Sequence, residues 1–441
     1  MFYIVESEEQ IERLKSYGIN KGYVEVISNN DNLHPKLSTT VALYIRPFNL
    51  NKGFIIPIDH DEGINVSKTR VSQVLEAFDT LYTLNRKDFI YHFNTRGLID
   101  ISLLYSMGEY DRLDIFHSNK TYNYFYSKNS NFCDINKLIP LSKHHEKCEE
   151  NFNKIQDLLD SPLPNGFDFY NETCTNVFYL VEQQGLGIFY NAFTELFKPK
   201  NPLYNIYNNT VLTSYNLYNA TSRPTNAHNS INFAAIPKSE KHRKCFKPQN
   251  DKFVEFDFDG YHLRLLCDQI NYELNEESAH EQLAKLYFNK EEITEEEYSE
   301  AKQLNFQAIY GKIPKKHKNL KIFRLIQEYI DNMWGVYQDT GEVCNPQSGK
   351  PFTTKLKRMN PAKLMNYMMQ SLETSNNVLI LKDVLRYLKN KKTKIALYTY
   401  DAILFDFSKE DGKQTLLDIE EIMSREGKFP IKHKFSNNLV L

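Results

Sequence analysis

Acidic and apolar residues alternate from Phe253 to Asp259 (FVEFDFD), near the middle of the chain. A period of two is typical of a β-strand, so Glu255, Asp257 and Asp259 share one face. After Gly260 the apolar residues recur at helical spacing, which predicts a strand running into a helix. Carboxylates on a rigid strand are suited to bind divalent cations, although a strand whose acidic residues face water has the same pattern.

A second acidic position lies between two apolar segments near the end of the chain. Residues 394–397 and 403–407 predict strands, and the segment Thr399-Tyr400-Asp401-Ala402 between them predicts a hairpin turn. A carboxylate at such a turn costs free energy unless a metal or another charge compensates it. Asp401 is therefore a candidate cation ligand.

A third segment, residues 298–311 (YSEAKQLNFQAIYG), is predicted to be helical. Lys302, Phe306 and Tyr310 are four residues apart, so they line one face of that helix. A cation followed by two aromatic rings suits a nucleoside triphosphate, with charge for the phosphates and a flat apolar surface for the base. The same spacing also fits an aromatic stripe in the core with a lysine that reaches solvent.

The remaining pattern predicts an α/β domain over residues 1–160, a turn-rich linker at 161–166 (SPLPNG), and a larger, more helical part beyond it. In the first part we expect strands at 2–6, 23–28, 40–46, 53–58 and 89–92 and helices at 7–18, 67–85 and 98–107. In the second part we expect helices at 171–184, across most of 262–335, and from 361 to about 389.

Composition limits the class of protein. The 441 residues are too many for a single core, and no run of 18 apolar residues predicts a membrane span. We expect no secretory signal and a cytoplasmic location, in a bacterium or a phage-infected cell. The six cysteines are scattered singly, which argues against a zinc site. The net charge of −2 does not indicate a nucleic-acid binder, but basic stretches at 312–324 and 350–358 can form either a basic groove or a solvated face.

Together the three candidate segments resemble motifs A, B and C of family A DNA polymerases, the type found in bacteria, phages and mitochondria. Motif A reads D-Y-S-Q-I-E-L-R and is similar to residues 257–264 (DFDGYHLR), and motif C, H-D-E, resembles residues 400–402 (YDA). Motif B reads R-x-x-x-K-x-x-N-F-x-x-x-Y-G and is matched at Lys302, Asn305, Phe306, Tyr310 and Gly311. Weaker similarities follow in the family's order at 221–223, 232–237, 278–284, 349–350 and 366–370.

This resemblance implies a fold with two parts: an RNase H-like α/β domain of the 3′–5′ exonuclease type over 1–160, and a right-hand polymerase domain over 166–441. Within the second part we expect a palm at 221–260 and 336–441, fingers at 261–335 and a reduced thumb at 166–220. Only about 35 residues separate Gly185 from Thr221, where the family carries a long helical thumb. We therefore expect a weak grip on duplex DNA unless an accessory or processivity protein supplies it.

The resemblance also implies template-directed DNA synthesis by two-metal phosphoryl transfer. Asp257, Asp401 and the carbonyl of Phe258 would hold two Mg²⁺ ions, for which Mn²⁺ can substitute, and Lys302 would protonate the leaving pyrophosphate. The deoxynucleoside triphosphate (dNTP) would contact His262, His280, Lys302, Phe306 and Tyr310. Primer–template DNA would contact Arg223, Asn366 and Gln370 in its minor groove, where acceptors are common to all base pairs.

Three positions depart from the family. His262 replaces the motif A glutamate that excludes ribonucleotides, although a histidine can also crowd the sugar. Tyr298 replaces the arginine that opens motif B, which removes a phosphate contact. Ala402 replaces the motif C glutamate, and Asp259 is a candidate auxiliary carboxylate in its place. Loss of one such electrostatic contact costs roughly 10²–10³ in rate, so we expect a slow enzyme unless these positions are compensated.

The segment that would carry the exonuclease motif is degenerate. Proofreading in this family needs D-x-E on the first strand and two further aspartates, whereas Tyr23-Val24-Glu25 lacks the leading aspartate and Asp100 is misspaced. We therefore expect a polymerase without proofreading, with Glu25 and Asp100 as the residues to test. The alternatives are a 3′–5′ exonuclease and a catalytically inactive nucleic-acid-binding scaffold.

Overall fold

The structure is a computed structural model, and it describes residues 3–17, 20–31, 33–113, 134–197, 206–226, 231–237, 239–313 and 315–441. These residues form two compact units. The first lies within Met1–Leu163 and Phe197–Ser214, and the second within Pro164–Leu196, Tyr215–Ala227 and Ile231–Leu441. The first change of unit follows Leu163, inside the turn-rich segment 161–166.

In chain order the strands are β1 (Lys21–Ser28), β2 (Thr40–Pro47), β3 (Phe54–Pro57), β4 (Thr80–Thr83), β5 (Leu98–Asp100), β6 (Leu186–Ile188), β7 (Ile206–Tyr207), β8 (Thr210–Val211), β9 (Tyr215–Asn216), β10 (Thr225–Asn226), β11 (Phe246–Lys247), β12 (Lys252–Phe258), β13 (Glu342–Cys344), β14 (Pro351–Thr353), β15 (Lys394–Thr399), β16 (Ala402–Phe407) and β17 (Ile431–Ser436). The α-helices are α1 (Glu8–Lys15), α2 (Lys68–Leu75), α3 (Arg86–Phe89), α4 (Ile101–Glu109), α5 (Ile135–Leu138), α6 (Leu141–Leu159), α7 (Thr175–Val181), α8 (Tyr190–Phe197), α9 (Glu240–Arg243), α10 (Tyr261–Gln269), α11 (Ala279–Phe288), α12 (Glu295–Ile309), α13 (Lys321–Thr340), α14 (Pro361–Tyr387) and α15 (Gln414–Ser424). None of the helices in these described ranges is long and apolar enough to cross a membrane.

The first unit is built on a mixed sheet with the order β3-β2-β1-β4-β5. β2 is antiparallel to β1 and β3, whereas β4 is parallel to β1 and β5. Every residue of β2 is buried, as expected for a strand covered on both faces. α1 begins with a capping box, in which the Ser7 hydroxyl accepts from Gln10 N–H and the Gln10 side chain accepts from Ser7 N–H.

Four predictions for the first unit are wrong in detail. The helix predicted at 67–85 ends at Leu75, and its last part is the buried strand β4. The strand predicted at 89–92 does not form, because residue 89 ends the short helix α3 and residues 90–92 form a turn. The helix predicted at 98–107 begins three residues late, after β5. The predicted strand at 2–6 is reduced to a single bridge between Ile4 and Ile55 in the described residues.

The second unit contains an antiparallel sheet with the order β15-β16-β12-β17, which includes the predicted acidic strand and the predicted hairpin. The long helix α14 packs beside this sheet and contacts α10, α13 and α15. It begins at Pro361, and the Asn360 side chain caps it by accepting from Lys363 N–H. α14 is buried on almost every side, and its buried polar residues include Ser371, Glu373 and Asn377.

Lys350 is fully buried in this unit. Its Nζ donates to Ser222 Oγ at 2.5 Å and to the Asn219 carbonyl at 3.5 Å, and it lies 5.5 Å from the centre of the Tyr170 ring. Because burial disfavours the charged ammonium, the pKa of Lys350 is lowered to about 7. The folded protein therefore holds this proton less tightly than the unfolded chain does.

Replacing Lys350 by Met should change how stability depends on pH. Between about pH 7 and 10 the folded protein releases a proton that the unfolded chain still binds, so the free energy of unfolding of the wild type rises with pH. Relative to Lys350→Met, the rise should be about 1.4 kcal/mol per pH unit over that window. Paired urea-unfolding curves measure it, and Lys355→Met, at an exposed lysine, is the control. Parallel pH profiles for the wild type and Lys350→Met would contradict this account.

Candidate functional site

Asp257 and Asp401 meet because β12 pairs with β16. Asp257 lies directly opposite Ala402 in the antiparallel register, and Phe258 N–H donates to the Asp401 carbonyl at 3.1 Å. The two positions are 144 residues apart in sequence (401 − 257), so the sheet register brings them together. Within the described residues, no lysine or arginine lies within 4.0 Å ion-pair distance of either carboxylate. The site therefore holds two neighbouring acids that ion pairs do not neutralise.

Each carboxylate resists ionisation. Partial burial, then the Asp401 charge and then Glu255 raise the pKa of Asp257 to about 6. The Asp401 side chain is exposed, but the protein packed around it removes part of its hydration, and this together with the Glu373 charge raises its pKa. A bound cation would offset the burial and the neighbouring negative charges that raise the pKa of both acids.

The turn that carries Asp401 is strained. Tyr400 has φ of +64°, in the left-handed region that two-residue hairpins require and that glycine or asparagine normally occupies. The Asn377 amide donates to the Tyr400 carbonyl at 2.8 Å, and the Arg223 guanidinium lies 3.8 Å from the centre of the Tyr400 ring. Contacts from α14 and from the Thr221–Arg223 segment therefore fix the turn.

A buried carboxylate that the sequence did not single out lies beneath this turn. Glu373 is 1% exposed, with its Oε2 2.8 Å from Arg223 Nε and its Oε1 3.2 Å from His262 Nε2. Arg223 Nη2 also donates to Glu373 Oε1 at 3.1 Å. The short Nε–Oε2 and Nε2–Oε1 approaches are not aligned as hydrogen bonds, so we describe them as electrostatic contacts. Glu373 thus joins Arg223 and His262 in one charged cluster.

The predicted nucleotide-binding face of α12 is open to solvent. Lys302 is exposed, as are Phe306 (41%) and Tyr310 (37%), whereas the preceding residues Ala301 and Asn305, further around the helix, are buried. The alternative of an aromatic stripe packed in the core is therefore wrong. Large exposed aromatic side chains on one helix face are typical of a binding surface.

His280 and Asn305 connect α11 to α12. His280 Nδ1 lies 3.0 Å from Asn305 Nδ2, and the Asn305 oxygen accepts from the Tyr287 hydroxyl. The amide therefore donates to Nδ1, which assigns the neutral imidazole proton to Nε2. Burial, followed by the Lys302 charge, lowers the pKa of His280 to about 4. At neutral pH His280 offers an N–H donor and no charge.

Asp259 is already bound on both oxygens. Its Oδ1 lies 2.6 Å from Lys432 Nζ, and its Oδ2 accepts from Ala279 N–H at the start of α11. The residue is 8% exposed. This arrangement favours a structural role for Asp259 and does not favour the auxiliary carboxylate role predicted for it.

The residues predicted to contact DNA lie along one side of α14. Gln370 Nε2 donates to Asn366 Oδ1 at 2.8 Å, and the Thr221 hydroxyl donates to Gln370 Oε1 at 3.1 Å. Arg223 reaches the same helix through Glu373, as described above. His262 lies on the neighbouring α10, with its ring centre 6.4 Å from that of Tyr310. The structure therefore brings together residues from the segments 221–223, 257–264, 298–311 and 366–370 within the second unit.

In the first unit, Glu25 and Asp100 have structural partners. Glu25 is 8% exposed and accepts from the Tyr23 hydroxyl at 2.7 Å and from Asn151 Nδ2 at 3.1 Å. Asp100 is 1% exposed and caps α4 by accepting from Leu103 N–H, while its other oxygen accepts from Arg86 N–H. Within the described residues, no group of three or more His, Cys, Asp or Glu side chains is arranged to hold a metal ion.

Sequence reasoning missed Glu373 and Lys432. Glu373 lies three residues after Gln370, on the same face of α14, and helical spacing from the predicted Asn366–Gln370 pair could have indicated it. Lys432 lies on the last strand, and only the register of β17 against β12 brings it to the site. No local signal in the sequence marks that register.

Among solved structures, the chain is similar to the POL domain of Pol1 from M. smegmatis in complex with DNA primer-template and dNTP. The TM-score is 0.68 at 12% sequence identity, and the match covers 100% of this chain and 99% of that chain. No protein-family model and no curated protein matches the chain. At this identity the likeness concerns the fold: it confirms a mixed α/β architecture that resembles a DNA polymerase domain. The exonuclease-like identity of the first unit and the reduced thumb stay predictions.

Proposed function

We propose that this chain is a template-directed DNA polymerase of the family A type, which adds deoxynucleotides to a primer 3′-hydroxyl. The observation that carries the proposal is the meeting of Asp257, on β12, with Asp401, in the turn between β15 and β16. Among the described residues, neither carboxylate has an ion-pair partner. The fold shared with a polymerase domain supports it, as does the open Lys302–Phe306–Tyr310 face of α12.

The two acids fit magnesium ions. Mg²⁺ is typically bound by one or two carboxylates, with waters and substrate phosphates completing its coordination, so a protein cluster of three ligands is not required. Asp257 and Asp401 would hold the ions, with the Phe258 carbonyl as a further ligand, and Mn²⁺ can substitute. When bound, the two ions would lower the pKa of the primer hydroxyl and hold the triphosphate.

In the proposed reaction the primer 3′-hydroxyl loses its proton to solvent and its oxygen forms a bond to the α-phosphorus of the dNTP. The bond from that phosphorus to the oxygen that bridges it to the β-phosphorus breaks, and this oxygen leaves with pyrophosphate. Lys302 would contact the phosphates and give a proton to the leaving pyrophosphate. His280 would donate a hydrogen bond from Nε2 to the phosphates, since its Nδ1 is occupied by Asn305. Phe306 and Tyr310 would pack against the incoming nucleotide.

The same proposal assigns the DNA and the sugar contacts. Arg223, Asn366 and Gln370 would contact the minor groove of the primer–template, with base pairing setting the sequence. Glu373 would orient Arg223 and His262 from below. His262, held between Glu373 and Tyr310, would crowd the 2′-position of the sugar and so favour deoxynucleotides.

We propose that the first unit is an exonuclease-type domain without activity. The sheet order and mixed strand directions support an RNase H-like fold. The burial of Glu25 and Asp100 and their hydrogen bonds to other protein groups support the loss of activity. The shortness of the segment between Gly185 and Thr221 supports a reduced thumb and, with it, a need for an accessory or processivity protein. The competing functions are a 3′–5′ exonuclease and an inactive scaffold.

Removing either palm acid should abolish synthesis. The wild type should extend a labelled primer on a longer template when dNTPs and Mg²⁺ are present. The extension rate of Asp257→Asn and of Asp401→Asn should be lower by at least about 10³-fold, because each variant loses part of the cation site. Asp339→Asn, at an exposed position on α13, is the control and should match the wild type. Primer shortening by the wild type would favour the exonuclease, and no change of the primer would favour the scaffold.

His262→Ala should relax sugar selection. Removal of the ring opens the space beside Tyr310, so the ratio of kcat/KM for a dNTP to that for the matching ribonucleotide should fall by about 10–100-fold. Single-nucleotide additions with each substrate measure the ratio. An unchanged ratio, with primer extension intact, would show that His262 does not contact the sugar.

Replacing Glu25 or Asp100 in the first unit should affect stability and not nuclease activity, which we expect to be absent from the wild type as well. Asp100→Ala removes the cap of α4 and an acceptor for Arg86 N–H, so it should lower the free energy of unfolding by about 1–3 kcal/mol. Without dNTPs, the wild type, Glu25→Gln and Asp100→Ala should all leave a single-stranded primer intact over hours. Wild-type degradation that Glu25→Gln removes would contradict the proposed inactivity.

A further inference from the structure

The phosphate side of the proposed site is short of positive charge. A nucleoside triphosphate brings several negative charges, and the motif B arginine is Tyr298 in this chain. Of the predicted phosphate contacts, His280 is neutral at neutral pH, since burial holds its pKa near 4. Of the two predicted phosphate contacts, His280 and Lys302, only Lys302 then carries a positive charge.

Lys432 lies on the face of the sheet that carries the acids. β17 is antiparallel to β12, and Lys432 is directly opposite Asp257 in the register. Directly opposed residues of an antiparallel pair project from the same face. The Lys432 side chain is 61% exposed, so its ammonium remains accessible beside Asp257 while it contacts Asp259.

The surroundings of Lys432 connect it to the other phosphate-side residues. Asp259 binds Lys432 through one oxygen and Ala279 N–H through the other, so it holds the lysine beside the N-terminus of α11, next to His280. The charges of Lys434 and then Lys432 lower the pKa of Asp257, but of these two lysines only Lys432 also lowers the pKa of His280. Tyr298 is among the groups that raise the pKa of Lys432. Lys432 therefore lies in the region that the motif B arginine would serve.

We propose that Lys432 is a nucleotide-binding residue that contacts the phosphates of the incoming dNTP and supplies the charge absent at Tyr298. This inference rests on the proposed polymerase function. Asp259 acts as a positioning residue, because its ion pair directs the flexible lysine side chain toward the acidic face. Lysine serves as a point charge for phosphate, so this contact requires no fixed bidentate geometry.

Lys434 provides a matched control. It lies two residues along the same strand and face, opposite Glu255, and its Nζ is 3.6 Å from Glu255 Oε1 with 54% of the side chain exposed. Both lysines thus make an ion pair with β12 or its C-terminal extension, and only Lys432 lies opposite a proposed catalytic acid. If the lysines serve only to hold β17 on the sheet, their removal should have similar small effects.

The test compares Lys432→Gln, Lys432→Arg and Lys434→Gln in single-nucleotide addition and in equilibrium binding of a non-hydrolysable dNTP analogue to the enzyme–primer–template complex. Loss of a charged phosphate contact should raise the KM and the analogue Kd of Lys432→Gln by about 10-fold or more. Lys432→Arg should stay within about 3-fold of the wild type, and Lys434→Gln within about 2-fold. The Kd for primer–template and the thermal midpoint should be unchanged in all three variants.

Three results would overturn the inference. Equal KM values for Lys432→Gln and Lys434→Gln would reduce Lys432 to a strand contact, and a loss confined to primer–template Kd or to the thermal midpoint would assign it to DNA binding or to stability. Both results leave primer extension by the wild type intact, so the proposed function would stand. Failure of the wild type to extend any primer would instead overturn the proposed function and this inference with it.

Discussion

Like-charge repulsion between Asp257 and Asp401 is the constraint on which the second unit depends. The Asp401 charge raises the pKa of Asp257, and two such neighbouring carboxylates stay together only if the backbone beneath them cannot separate. Here β12 is hydrogen-bonded on both sides, to β16 and to β17. Asn377 and Arg223 hold the strained Tyr400 turn from another direction. The repulsion is thus stored in a rigid sheet, where a bound cation can relieve it.

The charges around these acids are arranged in two zones. Under the Tyr400 turn, the charge of buried Glu373 is matched by Arg223, so that ion pair is balanced within the protein. On the β17 side, Lys432 and Lys434 face Asp259 and Glu255 across the strand. The pair Asp257 and Asp401 lies between the zones without an ion-pair partner among the described residues. This imbalance is local, which explains why a net charge of −2 gave no indication of it.

Local signals predicted much of the second unit and less of the first. The acidic strand has a clear period of two and the Tyr400–Asp401 hairpin has short apolar flanks, so both were predictable. In the first unit, β4 is four residues long and directly follows a helical pattern, so the helix predicted at 67–85 absorbed it. For α12, spacing gave the shared face of Lys302, Phe306 and Tyr310. It did not reveal whether that face meets water or the core, because exposure depends on what packs against the opposite side.

The residues that sequence could not reveal are those whose position depends on register or on packing between distant segments. When each motif is compared by itself with the family that it resembles, Tyr298 stands in place of an arginine and Ala402 in place of a glutamate, so each position lacks a charge. In the folded chain, Lys432 brings positive charge near Tyr298 from the last strand, and Glu373 acts on Asp401 from α14. Electrostatic stabilisation depends on where a charge lies in space and not on the segment that carries it. The electrostatic field at such a site can therefore stay the same while residues at individual motif positions change, provided that the strand register and the helix packing do not change.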